Sequence, residues 1–202
     1  MEQLLKTRST IVDYVQQATK TKRIRIAYYY FDFSDKDIQK LDNLLRCLIW
    51  QLCNHDEQLP PAASSLWQSC DNGRKQASAQ VLADTLFDLL QDSDRQDYVV
   101  IDALDECPIE SRELFYELFL DRISDETGLF NFLFTSRKES DIEQRMTELK
   151  KLHNVPILTG AVDADVRLHV SRFIAKNRIM KTWSKELKEE IEVAISGGAQ
   201  GM

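Results

Sequence analysis

The apolar positions of this chain switch between two periods. Ile11, Val12 and Val15 share one side of a short helix predicted over Ser9–Ala18. Arg23–Phe33 reads as a strand: Ile24, Ile26 and Tyr28 alternate, and Tyr29-Tyr30-Phe31 is an aromatic run suited to a pleated, buried surface. Over Asp37–Cys53, the residues Ile38, Leu41, Leu45, Leu48 and Leu52 recur at three- and four-residue steps and predict a helix. Asn54–Ala77 carries Pro60-Pro61 and Asp71-Asn72-Gly73, which predicts a long connection with a single helical turn around Leu66-Trp67. Ser78–Gln91 is a second strong helix, with Val81, Leu82, Thr85, Leu86, Leu89 and Leu90 in phase.

Tyr98–Ile101 is a short continuous apolar run bounded by acids, the pattern of a strand buried on both faces. Ser111 is read as the cap of a helix to Ile123, and Leu129–Thr135 as another buried strand. Asp141–Leu149 predicts a modest helix and Val155–Leu158 a weak strand. Asp163 is read as capping a helix through Lys176, with Val166, Val170, Phe173 and Ile174 in phase. Ser184 caps a last helix that ends at Gly197-Gly198. Strands alternating with helices predict an α/β fold, a three-layer sandwich around a mostly parallel sheet. The last two helices follow the final strand and predict a small helical part, so the domains read as 1–160 and 161–202.

Composition narrows the function classes. With 202 residues, 43% hydrophobic, and only 6 Gly and 4 Pro, the chain is globular and neither disordered nor collagen-like. Its 33 acids outnumber its 26 Lys and Arg, for a net charge of −7. That balance disfavours nucleic acid or an anionic membrane surface as partner, because phosphate binding needs a basic footprint. The longest apolar run, Ile26–Phe31, is far short of the roughly 20 residues of a membrane helix. Cys47, Cys53, Cys70 and Cys107 form no CxxC pair and read as reduced thiols, which predicts a cytoplasmic setting. His55, His153 and His169 show no metal-ligand spacing.

The sharpest chemistry lies in Tyr98–Cys107. A buried strand delivers Asp102, Asp105 and Glu106 at its carboxyl end, where open α/β sheets place ligands. Packed carboxylates repel one another unless a cation neutralises them, and Mg²⁺ suits oxygen ligands shared between carboxylate and phosphate. Asp102 is the candidate metal ligand; Asp105 or Glu106 is the candidate base that orients an attacking water. The alternative is a solvated acidic turn. A second strand ends in Thr135, Ser136 and Arg137, two hydroxyls and a cation suited to a terminal phosphate if the two strands are parallel neighbours.

Together, Val99–Cys107 followed by Arg112, then Leu129–Arg137 and the helix from Asp141, resemble the Walker B and sensor regions of NACHT-type domains. These belong to the STAND class of P-loop NTPases. The nearest variety is that of fungal NOD-like receptors, the nephrocystin-like N-terminal domains. Tyr28–Phe33, Asp42–Arg46, Val162–Val170 and the terminal Gly198–Met202 fit the same pattern. The resemblance implies ATP or GTP binding with Mg²⁺ and a nucleotide-dependent switch within a larger intracellular signalling receptor. The implied partners are the receptor's other domains or related NACHT domains. Asp102 then matches the Walker B aspartate, Asp105 and Glu106 the adjoining acids, and Arg137 the sensor arginine.

The chain departs from the pattern in one respect. It contains no G-x-x-x-x-G-K-[ST], the loop whose amides cradle phosphate. Lys6-Thr7 falls near the expected position but without glycines. Nucleotide binding by this chain is therefore expected to be weak or absent, and a piece cut short at both ends is implied. Without the P-loop strand, Leu129–Thr135 is expected to expose an edge or to pair with Val155–Leu158. A non-catalytic protein-interaction module or a degenerate paralogue is the alternative reading, and a metal-dependent phosphoesterase a distant third.

Weaker patterns complete the reading. Asp84, Asp88 and Asp92 form a solvated helix face, and Lys20–Arg25 a solvated loop. Tyr28–Phe31 packs in the core, Trp50, Trp67 and Trp183 anchor helices, and Cys107 packs rather than reacts.

Overall fold

The computed structural model describes residues 10–18, 24–55, 58–91, 95–125, 130–149, 152–156 and 159–198. Ser9, Lys6-Thr7, Lys20–Arg23, Asp92, Leu129, Ile157-Leu158 and residues 199–202 lie outside them. The chain forms two compact units, Met1–Lys151 and Leu152–Met202.

In the first unit, β1 (Ile24–Tyr30), β2 (Gln96–Asp102) and β3 (Phe130–Phe134) form a parallel sheet in the order β1-β2-β3. Helices α1 (Thr10–Ala18), α2 (Leu41–Cys53), α3 (Pro61–Ser69), α4 (Ala79–Gln91), α5 (Ile109–Asp125) and α6 (Ser140–Thr147) accompany it. The α/β class with a parallel sheet is what the alternation of periods predicts. Register pairs Ala27 with Val99 and Val99 with Phe132, then Tyr29 with Ile101 and Ile101 with Phe134. These alternate residues share one face. They meet Leu44, Leu45 and Leu48 of α2, Leu82, Leu86 and Phe87 of α4, and Phe115 and Phe119 of α5 in one continuous core. Phe115 and Phe119 stack at 4.6 Å between centroids, and Phe132 and Phe134 line the same cluster.

The two sheet edges differ. On β1, the Gln51 side chain of α2 accepts from Tyr28 N at 3.1 Å and donates to Tyr28 O at 2.7 Å. This amide does what a fourth strand would do, and it blunts the edge. Beyond β3, no strand pairs among the described residues. β3 departs from the expected buried strand: Asn131 and Leu133 are exposed while Phe130, Phe132 and Phe134 are half-buried. Phe-Asn-Phe-Leu-Phe is a period-2 pattern with only one face covered. Residues 152–156 carry no strand, so the described part of the expected Val155–Leu158 strand is irregular.

Several boundaries differ for local reasons. α2 starts at Leu41 rather than Asp37, because the preceding acids bind nearby backbone instead of starting a helix. Asp32 Oδ1 accepts from Ser34 N at 2.8 Å, and Asp35 Oδ1 accepts from Asp37 N at 2.9 Å. α3 is a nine-residue helix where a single turn is expected, since Pro61 occupies the first helical position, which needs no N–H. α5 begins at Ile109, so Ser111 is inside the helix; Ser111 N and Arg112 N donate to Pro108 O at 2.8 and 3.1 Å. Trp50 and Trp67 are not core anchors: they are 61% and 56% exposed. The Trp67 ring instead covers Gly73, whose φ of +82° and a would-be Cβ 2.6 Å from the ring leave no space for a side chain.

Arg25 is not in a solvated loop. It is 4% exposed in β1, beside Asp97 at 0%. Register makes the two direct cross-strand partners. Arg25 Nε and Nη2 donate to Asp97 at 2.8 and 2.6 Å, and Nη2 also reaches Leu89 O at 2.8 Å. Asp84 and Asp88 lie on the exposed side of α4, and Asp84 pairs with Arg122.

In the second unit, α7 (Thr159–Lys176) and α8 (Lys185–Gly198) pack on each other around a short turn, Met180–Thr182. α7 starts before Asp163, which is therefore inside the helix rather than its cap. Ile174 is buried, but Phe173 is 55% exposed, so it does not share the buried face expected of it. Trp183 is half-buried. Ser184 caps α8 as its position predicts, accepting from Leu187 N at 3.2 Å. No helix among the described residues is long and apolar enough to cross a membrane.

Candidate functional site

The carboxyl ends of β2 and β3 lie side by side. The ladder continues past the strands: Thr135 N donates to Ile101 O at 3.0 Å, and Leu104 N donates to Thr135 O at 2.9 Å. This sets Thr135 against Asp102. The Thr135 hydroxyl donates to Asp102 Oδ1 and accepts from Ala103 N at 3.0 Å. Asp102 Oδ2 takes no hydrogen bond from the described residues. Ala103 has φ +56° and ψ 49°, a left-handed conformation that strains a residue with a Cβ. The bend drops Leu104 into the core at 0% exposure and keeps Asp105 and Glu106 at the strand ends.

Each of those two acids is engaged by the protein. Asp105 Oδ1 accepts from Arg137 N at 3.0 Å, and Oδ2 lies 3.5 Å from Arg137 Nε. The Asp105 side chain is 9% exposed and that of Arg137 53%. Glu106 Oε2 accepts from Phe33 N at 2.9 Å, tying the loop after β1 to the loop after β2. Ser136 is turned to its own neighbourhood, donating to Arg137 O at 2.6 Å. The structure thus brings together Asp102 with Thr135, and Asp105 with Arg137.

Behind this loop sits Arg112 of α5, 5% exposed. Its Nε donates to Cys107 O at 2.9 Å, its Nη2 to Asp105 O, and its Nη1 to Asp141 Oδ1 and Oδ2 at 3.1 and 3.0 Å. Tyr116 donates its hydroxyl to Asp141 Oδ2 at 3.1 Å. Burial pushes the Asp141 carboxyl up, but the Arg112 hydrogen bonds and charge, with Tyr116 and Ile142 N, outweigh it and hold the group below its ordinary value. Burial pushes the Tyr116 phenol up, and the Asp141 charge adds to it. The Cys107 thiol, 1% exposed, is pushed up by burial to about 11, with Arg112 opposing. An inert packing thiol results.

Residues 7–137 match the family described as nephrocystin 3, N-terminal, a span that covers most of the chain and takes in every candidate site residue. The chain belongs to the nephrocystin 3 N-terminal family. No curated protein and no solved structure matches it.

The donor set of this nephrocystin-like domain fits a cation only in part. Asp102 is a half-exposed carboxylate with one oxygen open, beside a hydroxyl, which suits one ligand position of a Mg²⁺ shared with phosphate oxygens. Among the described residues, no group of three or more His, Cys, Asp and Glu is placed to hold a metal alone. The described glycines lie away from these strand ends in the chain: Gly73 after α3, Gly160 in α7, and Gly197 and Gly198 in α8. Sequence reasoning named Arg112 and Asp141 but gave them no role. A signal was present: Arg112, Phe115, Tyr116 and Phe119 share one helical face, so a cation stands on the apolar stripe of α5.

Proposed function

We propose that this chain carries the Walker B and sensor side of a NACHT-type nucleotide switch in an intracellular signalling receptor. One observation carries the reading: Asp102, at the tip of the central parallel strand, is hydrogen-bonded to Thr135 at the tip of the next. Asp102, with one carboxylate oxygen open, would help hold a Mg²⁺ ion that would neutralise charge on nucleotide phosphates. Arg137, whose terminal nitrogens meet no acceptor among the described residues, faces a phosphate. Asp105 holds Arg137, and Glu106 orients water or holds the β1 loop. The nucleotide is ATP or GTP.

Because the sequence holds no G-x-x-x-x-G-K-[ST], binding by this chain alone is weak, with Kd of about 1 mM or above, equivalent to roughly 4 kcal/mol. Equilibrium titration with ATP, with and without Mg²⁺, tests the reading in the wild type and in Asp102→Ala. Mg²⁺-dependent binding lost in the variant supports it. Complete absence of binding at several millimolar nucleotide favours the second reading, a non-catalytic module that acts by contacts with related domains. The β3 edge, which no strand among the described residues covers while Gln51 caps the β1 edge, favours that module, with β3 as the surface for pairing.

A further inference from the structure

We infer that Arg112 is a positioning residue: acting through Asp105, it sets where Arg137 stands, and it ties that placement to helix α6.

The chain of contacts is continuous. Asp141, the second residue of α6, receives both hydrogen bonds of Arg112 Nη1. The same guanidinium holds the carbonyls of Asp105 and Cys107, the two ends of the turn that carries the acids. The Asp105 carboxylate then binds the backbone N–H and faces the Nε of Arg137. A planar fork is needed at this position. Its nitrogens point in fixed directions at two carbonyls and a carboxylate, and a lysine ammonium cannot reach all of them from one point. Arg112 is also buried, and its bond to Cys107 O is made away from water, so losing the guanidinium leaves that carbonyl unpaired.

The rest of the turn is fixed by other bonds: Leu104 N donates to Thr135 O at 2.9 Å, Glu106 N to Ala103 O at 2.9 Å, Cys107 N to Leu104 O at 3.1 Å, and Glu106 Oε2 accepts from Phe33 N. Ala103 is held in a left-handed conformation by Thr135 on one side, and Leu104 is sunk in the core. Asp105 lies beyond both, and its backbone is placed by Arg112. Arg137 follows β3 in an exposed segment, Ser136–Glu139, without regular structure. Its carbonyl accepts from Ser136 Oγ and Glu139 N, bonds within the same exposed segment, so its two contacts with Asp105 are what join it to the turn after β2. The bearing of this relay on phosphate rests on the proposed nucleotide reading; the relay itself does not.

Residue-resolved amide hydrogen exchange on the full chain tests it without any nucleotide. The readout is the Arg137 N–H, compared with Val99–Ile101 in the core. In Arg112→Lys and in Asp105→Ala, exchange at Arg137 should rise by at least about 5-fold while Val99–Ile101 stay unchanged. The double variant should be no faster at Arg137 than Asp105→Ala alone, because both changes break one path. Asp141→Asn, which keeps Arg112 in place and weakens its anchor, should give a smaller rise at the same amide, and serves as the test if Arg112→Lys does not fold. Arg137 exchange unchanged in either variant overturns the proposal. So does an equal rise at Val99–Ile101, which marks Arg112 as a general support of the fold, or additive effects in the double variant. The expected rise in Arg137 exchange alongside absent ATP binding would remove the nucleotide reading and leave the relay standing.

Discussion

The Thr135 hydroxyl stands between the Asp102 carboxylate and the Ala103 N–H, donating to one and accepting from the other at 3.0 Å. One side chain therefore joins the ends of two strands and holds a left-handed residue. Thr135→Val keeps the shape but leaves both partners unpaired. It should destabilise the domain by about 1–3 kcal/mol, and Thr135→Ser should recover most of that. Urea unfolding of the three proteins checks it, and equal midpoints for Val and wild type would contradict it.

The Arg25–Asp97 pair makes a different prediction, because it is buried on both sides. Arg25→Met strands an acid at 0% exposure and should cost about 3–5 kcal/mol. Arg25→Met with Asp97→Leu removes the stranded charge and should recover most of that loss. Unfolding free energies for the single and double variants read this directly. A double variant as unstable as the single would show that the pair contributes more than mutual neutralisation.

Asp141 predicts an acid limb. Its carboxyl is lower in the folded chain than in an ordinary aspartate, so its contribution is complete above the ordinary value of 3.8. That contribution is lost as pH falls through the lower, folded value. Asp141→Asn should thus be less stable than wild type at pH 7, by about 1 kcal/mol, because the carboxylate is 35% exposed and solvent screens the pair. The gap should close as pH drops below about 4. A gap that stays constant from pH 7 to pH 2 would contradict the assignment.

Cys107, buried and pushed up to about 11, should stay unmodified by a thiol reagent at pH 8 while the chain is folded. The half-buried Cys47, Cys53 and Cys70 should react first. Mass spectrometry after a brief exposure reads the order of labelling. Early modification of Cys107 would contradict its packing role.

The elements were largely legible because their periods are clean. Leu41, Leu45, Leu48 and Leu52 of α2 and the run Tyr98–Ile101 of β2 are each driven by burial of one face or two, and burial writes itself into the sequence. The start of α2 was hidden because Asp32 and Asp35 satisfy nearby backbone amides. α3 was hidden because Pro60-Pro61 reads equally as a break or as a helix start. The one-sided burial of β3 was misread because Leu133, exposed at 40%, is apolar like its buried neighbours. In the candidate site, Asp102, Asp105, Thr135 and Arg137 were singled out by position at strand ends, a property of the fold class. Their pairing was not legible: which carboxylate meets Arg137 is set by the Ala103 bend and by Arg112, seven residues downstream of Asp105. Arg25 and Asp97 lie 72 residues apart, and only register joins them.

The measurement closest to the central claim is chemical-shift mapping of ATP with Mg²⁺ on the isotopically labelled chain. The account predicts weak, saturable shifts at Ile101–Ala103 and at Thr135–Arg137. They should be absent without Mg²⁺ and absent in Asp102→Ala. Shifts confined to other residues, or shifts at these residues that persist in Asp102→Ala, would contradict it.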